Sequence, residues 1–220
     1  MRKERIRLFY NILLAVTVFA VWILSFFFWR DSTLGGDGWS DLKYFTVESN
    51  LLVGIVAVIW LVFRAIKGMG AMPKWLTLLK FLSSAAVFVT FTVVVLFLGP
   101  MYGYGRMYYG SNLFFHLLIP LAAILEYVLF GEEISFRESF FAVAPPVLYG
   151  IGYLSNCLVN GIGSWETTMN DWYSFLAWGY PIGIVIFFVI AALAWGLGCA
   201  LRALNQVSRK IPWEGKEAEK

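Results

Sequence analysis

The sequence predicts an all-α protein, a bundle of six membrane-spanning helices with both termini cytoplasmic, and three observations carry that expectation. Of its 220 residues, 60% are hydrophobic and only 14% are charged, a balance far outside that of soluble domains. Apolar runs recur six times, each near the roughly 20 residues that a helix needs to cross a bilayer. The connections between them are short, so residues 1–205 read as one transmembrane domain and 206–220 as a solvated cytoplasmic tail.

The first span, Leu8 to Phe28, follows a basic segment as a secretory signal would. Its apolar core is too long for one, however, and it ends in Phe26, Phe27, Phe28 and Trp29 with no small-residue cleavage site, so it reads as retained. The second span runs from Tyr44 to Phe63, the third from Trp75 to Leu98 and the fourth from Asn112 to Phe130. The fifth, Ser139 to Val159, is thinned by Gly150, Gly152, Ser155, Asn156 and Asn160, and its Pro145 and Pro146 predict a kink. The sixth runs from Tyr173 to Leu201, and Pro212, Gly215 and nearby charges mark the tail.

Lysine and arginine set the orientation, because cytoplasmic connections carry an excess of them. Fourteen of the 17 fall on one side: Arg2, Lys3, Arg5 and Arg7; Arg64, Lys67, Lys74 and Lys80; Arg137; and five from Arg202 onward. Arg30, Lys43 and Arg106 are on the other, so loops 29–43, 99–111 and 160–172 face outward. The net charge of +3 is too small to imply a nucleic-acid partner. Cys157 and Cys199 lack a partner motif and read as small core residues. The two halves share no landmarks, which argues against a repeat-built transporter.

Ionisable groups inside a membrane are costly, so Glu48, His116 and Glu126 each raise a functional question. Thr46 and His116, the sole histidine, lie roughly 3 to 6 Å below the outer ends of their helices, at about 1.5 Å per residue. Thr46, Ser49 and Asn50 share one face of the second span by their i, i+3, i+4 spacing, while Glu48 points elsewhere. Asn112 and His116 pair likewise on the fourth. Asn156 and Asn160 lie near the outer end of the fifth span and Asp171 at the start of the sixth. Glu126 is expected near the cytoplasmic end, where snorkelling could expose it, and a structural or interfacial role stands level with a catalytic one.

Two polar stripes at matched depth suit an activated hydroxyl. A neutral imidazole within reach of Thr46 can take its proton as it attacks a carbonyl, giving an acyl-enzyme that water cleaves. Ser49, Asn50, Asn112 or Asn156 could then donate to the oxyanion, and Glu48, Asp171 or a backbone carbonyl could orient the ring. Lys43 or Arg106 could hold a substrate carboxylate. Bland readings stand beside these: Thr46 and Asn112 as helix caps, His116 as a helix-packing group, and the tyrosine-rich loop GPMYGYGRMYYGS as an interfacial aromatic belt rather than a lid. One imidazole and scattered carboxylates give no metal ligand set, and the chemistry needs no cofactor.

The stretches YFTVESNLLVGIVAVIW and SNLFFHLLIPLAAILEYVLF, with APPVLYGIGYL and WYSFLAWGYPIG, resemble the six-transmembrane family of the androgen-induced protein and the androgen-dependent TFPI-regulating protein, particularly its bacterial branch. That resemblance implies an intramembrane threonine hydrolase of fatty acid esters of hydroxy fatty acids, with the threonine at Thr46 and the histidine at His116. It also implies a bacterial inner membrane and membrane lipids as surroundings. Where the family often shows a YPFLD-like stretch, this chain has Tyr173, Ser174, Phe175, Leu176 and Ala177. Two other classes stay open: a proton-coupled transporter using Glu48, His116 and Glu126, and a non-catalytic lipid-binding protein.

Overall fold

The computed structural model describes residues 2–28, 39–68, 70–164 and 169–211. Arg30, in the expected outer loop, and the tail from Pro212 lie outside them. The six expected spans are present as α1 (Arg2–Phe27), α2 (Phe45–Lys67), α3 (Lys74–Tyr102), α4 (Ser111–Phe130), α5 (Phe136–Asn160) and α6 (Tyr180–Lys210). All are long and apolar enough to cross a membrane, and no strand occurs among the described residues. The protein is an all-α, multi-pass membrane protein.

Boundaries differ from expectation mainly at α6. It starts at Tyr180 rather than Tyr173 and runs to Lys210. Residues 171–179 form turns because Ser174 and Gly179 take positive φ angles of 56° and 89°, and Pro181 suits a first helical turn but not an interior. α3 continues past Leu98 to Tyr102, which shortens the outer loop.

Two apolar clusters hold the bundle. One joins Leu14 and Val18 of α1 to Val53 and Ala57 of α2 and to Phe115 and Ile119 of α4. The other joins Phe81 of α3, Tyr127 of α4, Ala142 of α5 and Leu201 of α6. Between apolar helices in lipid, close backbone approach drives packing, so small residues sit at the contacts. A Cβ at Gly54 would lie 2.7 Å from Val18, and one at Gly198 would lie 2.5 Å from Ala142. Phe9, Leu148, Phe188 and Val189 remain exposed, as lipid-facing residues should.

Charged side chains collect at the opposite end of the bundle from Thr46. Glu4 approaches Arg64 at 3.9 Å, Lys74 pairs with Glu138 at 2.7 Å, and Arg7 and Arg209 both reach Glu132. These contacts gather the start of α1, the second and fourth connections and the end of α6 at one end, the grouping that the basic residues predict. Glu126 does not snorkel. It is 1% exposed, and its carboxylate accepts from Asn11 at 3.0 Å while pairing with Lys80 at 3.0 Å and Arg7 at 3.4 Å. Lys80 also donates to the Asn11 side chain, closing the network.

Prolines shape three helices. In α5 the helix tightens to a 3-10 turn over Phe140–Val143 and resumes as α-helix at Ala144, with Pro145 and Pro146 where amides need no partner. α3 and α4 do the reverse and widen. Gly99 N–H bonds the carbonyl of Val94, and Ile119 N–H that of Phe114, each reaching five residues back. Each wide turn immediately precedes a proline, Pro100 or Pro120, whose ring crowds the α-helical path and whose missing N–H leaves a further carbonyl unpaired.

Candidate functional site

α2 begins after a 3-10 turn at Ser40–Lys43, and the first of its free amides is met by a distant side chain. The Tyr173 hydroxyl accepts from Phe45 N–H at 3.0 Å. Burial, above all, pushes the Tyr173 hydroxyl well above its ordinary range, so it stays neutral and its oxygen serves as the cap. Thr46 is therefore not the cap of α2, and its side chain is left to line a cavity. That cavity, of about 340 Å³, is lined by α2 to α6 and by residues of the second and third outer connections. Its size lies within the range of roughly 300–1,000 Å³ typical of ligand sites.

His116 lines the same cavity from α4, within the wide turn that precedes Pro120. It is 4% exposed, and its Nδ1 lies 2.8 Å from the carbonyl oxygen of Met107. A carbonyl can only accept, so Nδ1 carries the hydrogen, an assignment made from this hydrogen bond. In the neutral ring Nε2 then holds a free lone pair. Of the three kinds of orienting group the sequence allows, the backbone carbonyl is the one in place. Among the described residues no direct hydrogen bond joins His116 to Thr46.

Asn112 is fully buried and lines the cavity, and neither its amide nitrogen nor its oxygen has a partner. It does not cap α4, since no side-chain bond is made at that helix start. A buried amide costs free energy unless it is hydrogen-bonded, and this one lies among the cavity-lining residues with its donors unused.

The other candidates are spent elsewhere. Asn50 donates to the carbonyls of Thr46, at 2.7 Å, and Phe115, at 2.9 Å. Ser49 bonds the Thr46 carbonyl and the Thr90 hydroxyl. Asn156 accepts from Asn160 at the outer end of α5. Asp171 accepts from the Tyr153 hydroxyl and from Leu176 N–H, which folds the 171–179 turns and keeps it from the histidine. Arg106 reaches the cavity with Tyr102 and Met107, so the tyrosine-rich loop supplies part of its rim. Lys43 and Glu48 line a separate groove between α2 and α5.

Sequence reasoning missed the aromatic wall. Tyr149, Trp172, Tyr173, Phe175 and Phe187 close one side of the cavity, with Tyr173 and Phe175 stacked at 5.1 Å. The i, i+4 pair Tyr149 and Tyr153 on α5 was the available signal. Among the described residues no three metal-ligating side chains converge. No protein-family model, no curated protein and no solved structure matches this chain.

Proposed function

We propose that the protein is an intramembrane ester hydrolase in which Thr46 is the nucleophile and His116 its general base. The observation that carries this reading is that both residues, with an unpartnered Asn112, line one cavity. An acyl ester enters so that its carbonyl carbon lies beside the Thr46 hydroxyl. As that oxygen attacks, its proton passes to Nε2 of His116, whose Nδ1–H stays on the Met107 carbonyl. The amide of Asn112 donates to the oxyanion. Collapse expels the alcohol, which takes the proton from Nε2, and leaves an acyl-threonine. Water, deprotonated by the same nitrogen, then releases the carboxylic acid and restores Thr46. The missing direct bond between the two residues fits a resting site, since catalytic hydrogen bonds often tighten only with substrate bound.

The resemblance to the androgen-induced protein family narrows the substrate to fatty acid esters of hydroxy fatty acids, with Arg106 at the rim placed to meet a substrate carboxylate. The relay reading has less support: Glu126 is tied to Lys80 and Arg7, and Glu48 faces the separate groove, so neither shares the cavity of His116.

Purified protein in liposomes should hydrolyse such esters and take up a fluorophosphonate probe at Thr46. Thr46→Ala should abolish both and Thr46→Ser should restore turnover, while His116→Ala lowers it about 10²- to 10⁴-fold. Equal probe labelling of wild type and Thr46→Ala would remove the nucleophile assignment. Turnover unchanged in His116→Ala would leave lipid binding without catalysis as the better reading.

A further inference from the structure

Beside the cavity, between α2 and α5, runs a second depression of about 450 Å³, open to the surface beside the exposed Leu148. Its walls are apolar: Phe45, Leu52, Pro145 and Leu148. Gly152 lines it too, and an added Cβ there would meet no atom within 4 Å, so a larger side chain at 152 would extend into the groove. At its outer rim lies Lys43, whose ammonium group is held over the rings of Tyr44, at 5.2 Å, and Trp172, at 5.9 Å. Phe45, Tyr149 and Trp172 line this groove and the Thr46 cavity alike, so the two spaces are separated by a wall one side chain thick.

We propose that this groove binds a single fatty acyl chain drawn from the surrounding leaflet, and that Tyr149 is the partition past which it reaches the cavity. Charge and depth select the occupant. A cation at the rim with apolar walls below suits a chain headed by a carboxylate at the surface. Glu48, deeper on the same groove, would repel an anionic headgroup that sank to its level. Tyr149 is fixed by bonds that a side-chain rotation can break: its hydroxyl donates to the Lys43 carbonyl at 2.7 Å and accepts from Trp172 Nε1 at 2.9 Å. Its ring stands edge-on to Phe45 at 5.2 Å. That the chain belongs to an ester to be cleaved rests on the hydrolase reading; that the groove holds it does not.

The test is photolabelling of the full-length protein in phosphatidylcholine liposomes by a diazirine-bearing palmitic acid, with adducts mapped by mass spectrometry. Labelling should concentrate on residues 145–153, saturate, and be competed by unlabelled palmitate. Gly152→Phe, which puts a ring into the groove, should lose most of it, whereas Gly196→Phe, on an open surface of α6, should not. Adducts spread without saturation over lipid-facing residues such as Leu121, Leu125 and Phe188 of the wild type would overturn the proposal, whatever the fate of the variants. Saturable labelling without ester turnover would uphold the groove and remove the hydrolase; turnover without saturable labelling would do the opposite.

Discussion

The side-chain amide of Asn50 bonds the backbone carbonyl of Phe115 at 2.9 Å, and this is the carbonyl that Pro120 leaves without a helical partner. In the wide turn the amide five residues on would serve it, and that residue is the proline. The same arrangement recurs on α3, where the Tyr104 hydroxyl donates at 2.8 Å to the carbonyl of Val95, five residues before Pro100. Asn50 also holds the Thr46 carbonyl, so one side chain fixes the turn of α2 that carries Thr46 to the residue preceding His116.

Asn50→Leu should therefore lower both stability and turnover. Interhelical hydrogen bonds of this kind in membranes are worth roughly 0.6 to 1.7 kcal/mol. Equilibrium unfolding in mixed micelles should show a loss of that order. In a Pro120→Ala background, where an amide is available again, the same substitution should cost less; equal costs in the two backgrounds would separate Asn50 from the proline.

The side chain of Asn112 makes no protein hydrogen bond, so its loss should affect chemistry more than folding. Asn112→Leu should reduce kcat by about 10²- to 10³-fold, the usual cost of one oxyanion donor, with KM little changed. Thermal unfolding should be unchanged or slightly improved, because an unpaired buried amide is removed. A lowered melting temperature with normal kcat would assign Asn112 to structure instead.

Glu126 serves two buried cations, Lys80 and Arg7. Glu126→Gln leaves Lys80 without an anion and Arg7 with Glu132 alone, and should cost about 3–5 kcal/mol, the range for breaking a buried ion pair. Lys80→Met leaves the contact with Arg7 intact and should cost less. Chemical denaturation of the two variants gives the order, and the reverse order would show that Lys80 rather than Glu126 anchors the network.

Gly198→Val should be harmful and Gly196→Val nearly neutral, although they are two residues apart on α6. The first places a Cβ 2.5 Å from Ala142 and 3.0 Å from the Ser139 carbonyl; the second meets open space. Overpacking of this kind costs typically about 1–3 kcal/mol, readable as a fall in melting temperature.

Six spans and their grouping by charge were legible because hydropathy and the basic residues act over whole segments, where small errors average out. The equal depth of Thr46 and His116 follows from counting residues, but that both line one cavity does not. What was not legible depends on contacts between segments. Arg7 and Lys80 read as loop charges although both fall inside helices, and their burial follows only once Glu126 and Asn11 are found beside them. Asp171, a plausible orienting acid by position, is claimed by Tyr153 and Leu176. Pro100 and Pro120 were visible signals, but their effect on the turns before them was not drawn from the sequence.

The wide turn at Phe114–Leu118 holds one residue more than an ordinary helical turn. One residue corresponds to a rotation of about 100° around a helix axis. The stretch bearing Asn112 and the stretch bearing Glu126 are thus phased separately, one aimed at the cavity and the other at the ion network, although both belong to a single rod. His116 occupies the joint between them, so its direction is set by the extra residue, and deleting Leu117 or Leu118 would swing the imidazole while leaving the two ends facing as before.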